Sequence, residues 1–236
     1  MSFEGHNVVI TGVGRPGQVG EAVALAFAER GARVLLVDRQ EAHAKARADA
    51  LSAAGHQALA FAADLADADA VARLAMEIRD ASRGSVHALI HIAGGFSVTG
   101  PVAESDPAEW TRLFTINGTT TYLVARAFIP MLRVTRGAIV CFASEAALPG
   151  ASAAGRAAYT AAKGAVVTLV HAIAREEREH GVRANAVAPS TIRTADNVAA
   201  MGESTTMVSR EAVADAVCWL ASEEARAVSG QVVAVR

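Results

Sequence analysis

Lysine and tyrosine are scarce in this 236-residue chain, which has two tyrosines, Tyr122 and Tyr159, and two lysines, Lys45 and Lys163. Cysteine is equally rare. Cys141 and Cys218 lie in apolar segments with no C-x-x-C and no metal spacing, which reads as buried free thiols in a reducing cytoplasm. The seven histidines are scattered without an H-E-x-x-H or comparable set, so no metal is expected. No block of like charge occurs and the formal net charge is −2, so there is no footprint for nucleic acid or an anionic membrane. No apolar run approaches the roughly 20 residues of a membrane span. The opening residues Met1–Asn7 lack a basic region, so no signal peptide is expected. No linker rich in proline, glycine or serine divides the chain, which predicts a single domain over residues 1–236.

What is present is a regular alternation. Apolar residues make up 52%, enough for a large core. Short continuous apolar runs at Asn7–Thr11, Arg33–Asp38, His56–Ala62, Ala88–Ile92, Ala138–Ala143, Arg183–Ala188 and Gln231–Val235 read as strands buried on both faces. Between them, Val19–Arg30, Gln40–Ala54, Asp67–Arg83, Ala108–Arg133 (interrupted at Pro130), Ala154–His180 and Glu211–Ala221 read as helices. Gly31, Gly55, Gly84, Gly137 and Gly181 stand between helix and strand, where a left-handed residue commonly ends a helix. Repeated β-α-β units predict an α/β fold, a doubly wound parallel sheet of Rossmann type with about seven strands and helices on both faces.

The scarce residues coincide. Tyr159 and Lys163 stand four apart in a helical run, so both side chains share a face. An ammonium beside a phenol favours phenolate, and the spacing predicts a Tyr159 pKa lowered from its usual value of about 10. A glycine-rich stretch, Thr11–Gly20, joins the first strand to the first helix, where backbone amides and the helix N-terminus suit a pyrophosphate. Asp38, at the end of the second strand, suits the ribose hydroxyls and favours NAD(H). Arg15 and Arg39 argue the other way, so NADP(H) stays the alternative. Asp64 follows the third strand and either borders the adenine or caps a helix.

These motifs resemble the short-chain dehydrogenase/reductase family over nearly the whole chain. The family's glycine motif corresponds to Thr11–Gly20, its N-N-A-G to His91-Ile92-Ala93-Gly94, and its helix-four asparagine to Asn117. Its strand-five serine matches Ser144, its Y-x-x-x-K matches Tyr159 and Lys163, and its P-G-x-[IV]-x-T appears as Pro189–Thr194. The resemblance implies hydride transfer between a nicotinamide cofactor and a ketone or secondary alcohol. Tyr159 would be the general acid or base, Lys163 its partner and a ribose contact, Ser144 the ligand of the substrate oxygen, and Asn117 the holder of a relay water. Cofactor contacts are implied for Gly12, Gly14, Arg15, Gly17, Val19, Gly20, Asp38, Arg39, Asp64, Leu65, Ala93, Gly94, Pro189, Ile192 and Thr194, besides Tyr159 and Lys163.

The chain departs from the family at several points. The glycine loop is longer, Ile92 replaces an asparagine whose hydrogen bond between strands should be absent, and the Ser144–Tyr159 interval is longer, with Ser152 as fallback. A short lid is expected at Ala195–Val208, offering Met201 and Met207. Phe96 and Glu145–Arg156 would form other walls of a site for a small carbonyl or alcohol. Two alternatives stand beside the dehydrogenase: a non-catalytic NAD-binding sensor, and a dihydropteridine-type reductase, which the stretch Pro189–Met201 also resembles. The long helices resemble those that pair in family homodimers and homotetramers.

Overall fold

The computed structural model describes all 236 residues. Seven strands, β1 (Asn7–Thr11), β2 (Arg33–Asp38), β3 (Ala58–Ala62), β4 (Ala88–His91), β5 (Ala138–Phe142), β6 (Arg183–Pro189) and β7 (Val232–Val235), form one parallel sheet in the order β3-β2-β1-β4-β5-β6-β7. The order reverses between β1 and β4, and in open α/β sheets ligands bind at that switch, beyond the carboxyl ends of the strands.

Period-two alternation divides the core. Val8, Ile10, Val34 and Leu36 point to one face, where α1 (Val19–Glu29), α2 (Glu41–Ala53) and α8 (Arg210–Ala221) pack. Val9, Leu35, Val37 and Leu89 point to the other, against α3 (Ala68–Ser82), α5 (Thr120–Thr135) and α6 (Ala157–Glu176). Two further helices, α4 (Pro107–Phe114) and α7 (Ala195–Met201), follow β4 and β6. The strands buried on both faces are the central ones. β3 is an edge strand, begins at Ala58 rather than His56, and leaves Leu59, Ala60 and Ala62 exposed.

The expected helix Ala108–Arg133 is broken, though not by its proline. A π turn at Thr115–Thr119 separates α4 from α5, while Pro130 sits inside α5. A π turn commonly marks a functional site, and this one carries Asn117. Gly137 also departs from expectation. Arg136, at φ 53°, takes the left-handed C-cap position of α5. Gly137 is required for closeness instead, since a Cβ there would lie 2.6 Å from the His87 carbonyl oxygen. Contrary to the reading of short apolar runs only, α6 is long and apolar enough to match a membrane span by length and composition. Its Ala162, Val166, Val170 and Ile173 are buried within the domain, as is Lys163.

Candidate active site

The β5 strand ends at Phe142, and Ser144 follows it as the cap of a short 3₁₀ turn, its Oγ accepting from the Ala146 amide at 3.3 Å. Opposite stands the first turn of α6, which supplies Tyr159 and, one turn on, Lys163. Lys163 is buried, and its Nζ donates to the Phe142 carbonyl at 2.7 Å while lying 6.0 Å from the Tyr159 ring. Burial pushes the lysine pKa down to about 8. The expectation that Lys163 would pull Tyr159 below its usual pKa is overturned. Burial raises the Tyr159 pKa; the Ser144 side chain and then the Arg156 charge oppose this without prevailing. Ser144 and Tyr159 line the same cleft despite the lengthened intervening segment. Ser152, the fallback, is exposed and its hydroxyl caps the Ala154 amide.

Asn117 is 1% exposed and its side chain is fully engaged. Its Nδ2 donates to Gly95 O at 3.0 Å and Leu113 O at 2.9 Å, and its Oδ1 accepts from Gly95 N at 3.2 Å. It therefore clamps the Gly94–Gly95 loop beside Lys163. A Cβ on Gly94 would lie 2.5 Å from Asn117 Oδ1 and 3.3 Å from Lys163 Nζ, so only glycine lets the three meet. Phe96, 58% exposed, packs edge-on against Tyr159 at 4.9 Å between centroids.

Sequence reasoning missed the role of His91. The register pairs Thr11 with His91 across β1 and β4. Thr120 Oγ1 donates to Ile116 O at 2.9 Å, which leaves it to accept from His91 Nε2 at 3.4 Å, and His91 Nδ1 then accepts from Thr11 Oγ1 at 2.9 Å. Burial pushes the His91 pKa down to about 3, so the ring is neutral. The tie expected to be lost at Ile92 is thus made one residue earlier. The signal was two polar residues at the ends of adjacent strands, legible only once β1 and β4 were known to pair.

The glycine loop is occupied by the protein's own carboxylates. Gly12 (φ +75°) donates to Val37 O at 2.8 Å, and a Cβ on it would lie 2.6 Å from Ala93 N. Gly14 N donates to Asp38 Oδ2 at 2.9 Å, and Gly17 N to Glu21 Oε2 at 2.6 Å. Arg15 Nη2 meets both oxygens of Asp196 on α7 at 3.0 and 2.7 Å, and the Ala195 amide donates to Gly17 O at 3.0 Å. The added length of the loop therefore rests on the lid. Gly20 lets α1 start against the loop, since a Cβ there would lie 2.5 Å from Gly12 O. Asp38 also accepts the Gln40 amide at 3.0 Å, and Asp64 accepts the Ala66 amide at 2.9 Å, leaving Asp67 to cap α3. Leu65 is a core residue and Arg39 is exposed.

One open cleft of about 890 Å³ runs from Gln18 and Val19 at the start of α1, past Gly94, Pro189, Ile192 and Thr194, to Ser144, Tyr159 and Lys163. Asp38, Arg39, Asp64, Leu65, Ala93 and the loop glycines lie outside its lining. Thr194 caps α7 through Asn197 N at 3.2 Å, and the Ile192 carbonyl is taken by Thr194 N and Asn197 Nδ2 at 2.8 Å each. Met201 lines the cleft, whereas Met207 is buried and forms no wall. The donor set suits a dinucleotide: a helix N-terminus without a side-chain cap at one end, and a buried cation with glycine-only clearance at the other.

Comparison with known proteins agrees with this geometry. The family model described as "Enoyl-(Acyl carrier protein) reductase" matches residues 12–236. The "2-(S)-hydroxypropyl-CoM dehydrogenase 3" of Xanthobacter autotrophicus is 35% identical, over 100% of this chain and 97% of its own. The "Cis-4-hydroxycyclohexanecarboxylate dehydrogenase" of Sinomonas cyclohexanicum is also 35% identical, over 99% and 96%. A Beutenbergia cavernae crystal structure, whose description reads "putative NAD(P) dependent gluconate 5-dehydrogenase" with NADP bound at low occupancy, superposes with a TM-score of 0.88 at 32% identity, over 99% and 96%. The chain belongs to the short-chain dehydrogenase/reductase family and is an NAD(P)-dependent oxidoreductase.

Proposed function

We propose that the protein transfers hydride between NAD(H) and a secondary alcohol or ketone, with Tyr159 as general acid for reduction and general base for oxidation. The observation that carries this reading is the convergence of Ser144, Tyr159 and Lys163 at one end of a cleft that starts at the α1 N-terminus. The nicotinamide, when bound, supplies or accepts the hydride. Ser144 Oγ would hold the substrate oxygen, and the Tyr159 hydroxyl would give or take the proton there. Lys163 Nζ, fixed on Phe142 O, would bind the cofactor ribose and add the positive charge that favours phenolate once the site is filled. Asn117 would act chiefly by holding the Gly94–Gly95 backbone in place. Pro189, Ile192 and Thr194 would border the nicotinamide, and Val19 and Gly20 would offer amides to the pyrophosphate.

NAD(H) is favoured by Asp38, a fixed carboxylate that already bridges Gly14 and Gln40. Arg15 is engaged by Asp196, which leaves Arg39 as the free cation for a 2′-phosphate. NADP(H) is the competing cofactor, and the Beutenbergia structure is described as holding NADP at low occupancy. Both named enzymes among the relatives act on hydroxyl-bearing molecules, which fits an alcohol or ketone substrate for this chain. Trp110, which stacks on Phe114, and Tyr122 are about half exposed on the α4–α5 face, an apolar surface suited to a homodimer or homotetramer.

Tyr159→Phe tests the proposal. Turnover of secondary alcohols should fall by roughly 10³-fold while NAD affinity by calorimetry changes little. Unchanged turnover would remove Tyr159 from the chemistry. Tight NAD binding with no turnover of alcohols, ketones, enoyl or pterin substrates by the wild type would favour the sensor reading.

A further inference from the structure

The cleft holds five charged residues that do not serve it equally. Glu145 is closed on Arg236 at 2.6 Å, Asp196 on Arg15 at 2.7 Å, and Lys163 is buried on the Phe142 carbonyl. Arg156 also lacks an opposite charge, and unlike Lys163 it is only half-buried. Its Nε and Nη2 both donate to one neutral acceptor, Ser152 O, at 3.3 and 3.1 Å, and Nη1 has no protein partner. A carbonyl can orient a guanidinium; it does not neutralise one.

Arg156 is also held in place. It is half-buried and is the N-cap residue of α6, and Gly155 before it adopts φ +72°. The Gly155 carbonyl accepts both the Thr99 amide at 2.8 Å and the Gly100 amide at 3.1 Å, from the loop that follows β4. The backbone beside this arginine is thus tied to the loop after β4, and Arg156 lines the same cleft as Tyr159, three residues on. The first turn of α6 has no side-chain cap, so its amides add to the positive field. The charge already acts on the Tyr159 phenol, where it opposes the effect of burial.

We propose that the substrate carries a carboxylate a few bonds from its hydroxyl or carbonyl carbon, and that Arg156 receives it. This rests on the oxidoreductase reading above and narrows its substrate to hydroxy acids and oxo acids. The guanidinium fork matches a carboxylate in two parallel hydrogen bonds, and a partly desolvated pair discriminates well against a neutral analogue. The same contact would fix the substrate's long axis along the start of α6, with its oxygen towards Ser144 and Tyr159.

The test uses the full chain with NAD and a set of short hydroxycarboxylates, each beside its primary amide. The wild type should favour acid over amide by roughly 30- to 100-fold in kcat/KM. Arg156→Gln should bring that ratio close to unity, and Arg156→Lys should restore part of it, which also guards against a misfolded variant. An acid-to-amide ratio near unity in the wild type, or one untouched by Arg156→Gln, overturns the proposal. Absence of turnover with every alcohol and ketone would strike the oxidoreductase reading instead. In that event calorimetry with the same acids decides. Carboxylate binding lost in Arg156→Gln supports the anion site, and equal binding of acid and amide overturns it.

Discussion

The two ends of the cleft handle charge in opposite ways. At the glycine loop, the protein's own carboxylates answer the groups that could meet an anion: Asp38 on Gly14, Glu21 on Gly17, Asp196 on Arg15. At the α6 end, Lys163 and Arg156 are held only by carbonyls, and no carboxylate neutralises them. At the glycine loop, the Arg15–Asp196 pair can be rearranged at modest cost, since an exposed ion pair contributes little. The α6 end is a buried or half-buried charge kept without a counter-ion, which is destabilising in isolation and useful only when a ligand arrives. The nucleotide end satisfies itself, whereas the chemical end is left for a ligand to complete.

The largest expected effect is steric, where the glycine loop meets the end of β4. Gly12→Ala would place a Cβ 2.6 Å from the Ala93 amide nitrogen at a φ that side chains avoid. It should cost roughly 3–5 kcal/mol in chemical denaturation; a variant as stable as the wild type would mean that the loop and β4 do not meet as described.

Next is the buried cation. The Lys163 pKa of about 8 lies below the ordinary 10.5, so from pH 8 to 10 the unfolded chain holds a proton that the folded chain has released. Stability from this group therefore rises with pH across that window, and its burial cost is fully present below it. Cys141 and Cys218, both pushed up to about 12, act in the opposite direction above their usual value. The difference between wild type and Lys163→Met reports chiefly the lysine, with a smaller part from Cys141, whose thiol the lysine charge pulls down. It should move in favour of the wild type by about 2–3 kcal/mol from pH 8 to 10. A flat difference by urea titration would show a lysine less buried than it stands here.

The smallest effect belongs to the self-satisfied end. Asp38→Asn keeps one acceptor oxygen, so the hydrogen bond from either Gly14 or Gln40 is lost along with the charge. Stability should fall by about 1 kcal/mol, while the NAD-to-NADP ratio of kcat/KM should drop by roughly tenfold. An unchanged ratio would remove Asp38 from cofactor choice.

Much of this was legible in one dimension. Continuous apolar runs separated by amphipathic segments implied a parallel sheet, because a strand buried on both faces has no polar side to show. The rarity of lysine and tyrosine made the pair at 159 and 163 visible. The π turn was not legible, because Asn117 sits in a run with ordinary helical periodicity and the extra residue is stabilised by contacts to Gly95 and Leu113. The Tyr159 pKa went the wrong way because helical spacing gives proximity along a face and says nothing of burial, which outweighed charge here.

By itself, then, the sequence determined the β-α-β order, the glycine loop between β1 and α1, and the identity of the residues at the strand ends, since these depend on local pattern and composition. At the cleft, tertiary structure decided which charges were neutralised. Arg15 and Asp196 are far apart in the chain and meet only because the loop and the lid share one rim of the sheet. Arg156 remains without a carboxylate because the nearby acids of that rim, Glu145 and Asp196, are spent on other arginines. Pairs three or four apart on a helix, such as Lys45–Asp49 and Glu109–Arg112, follow from chain order; the pairs at the cleft depend on distance in space, which chain order does not encode locally.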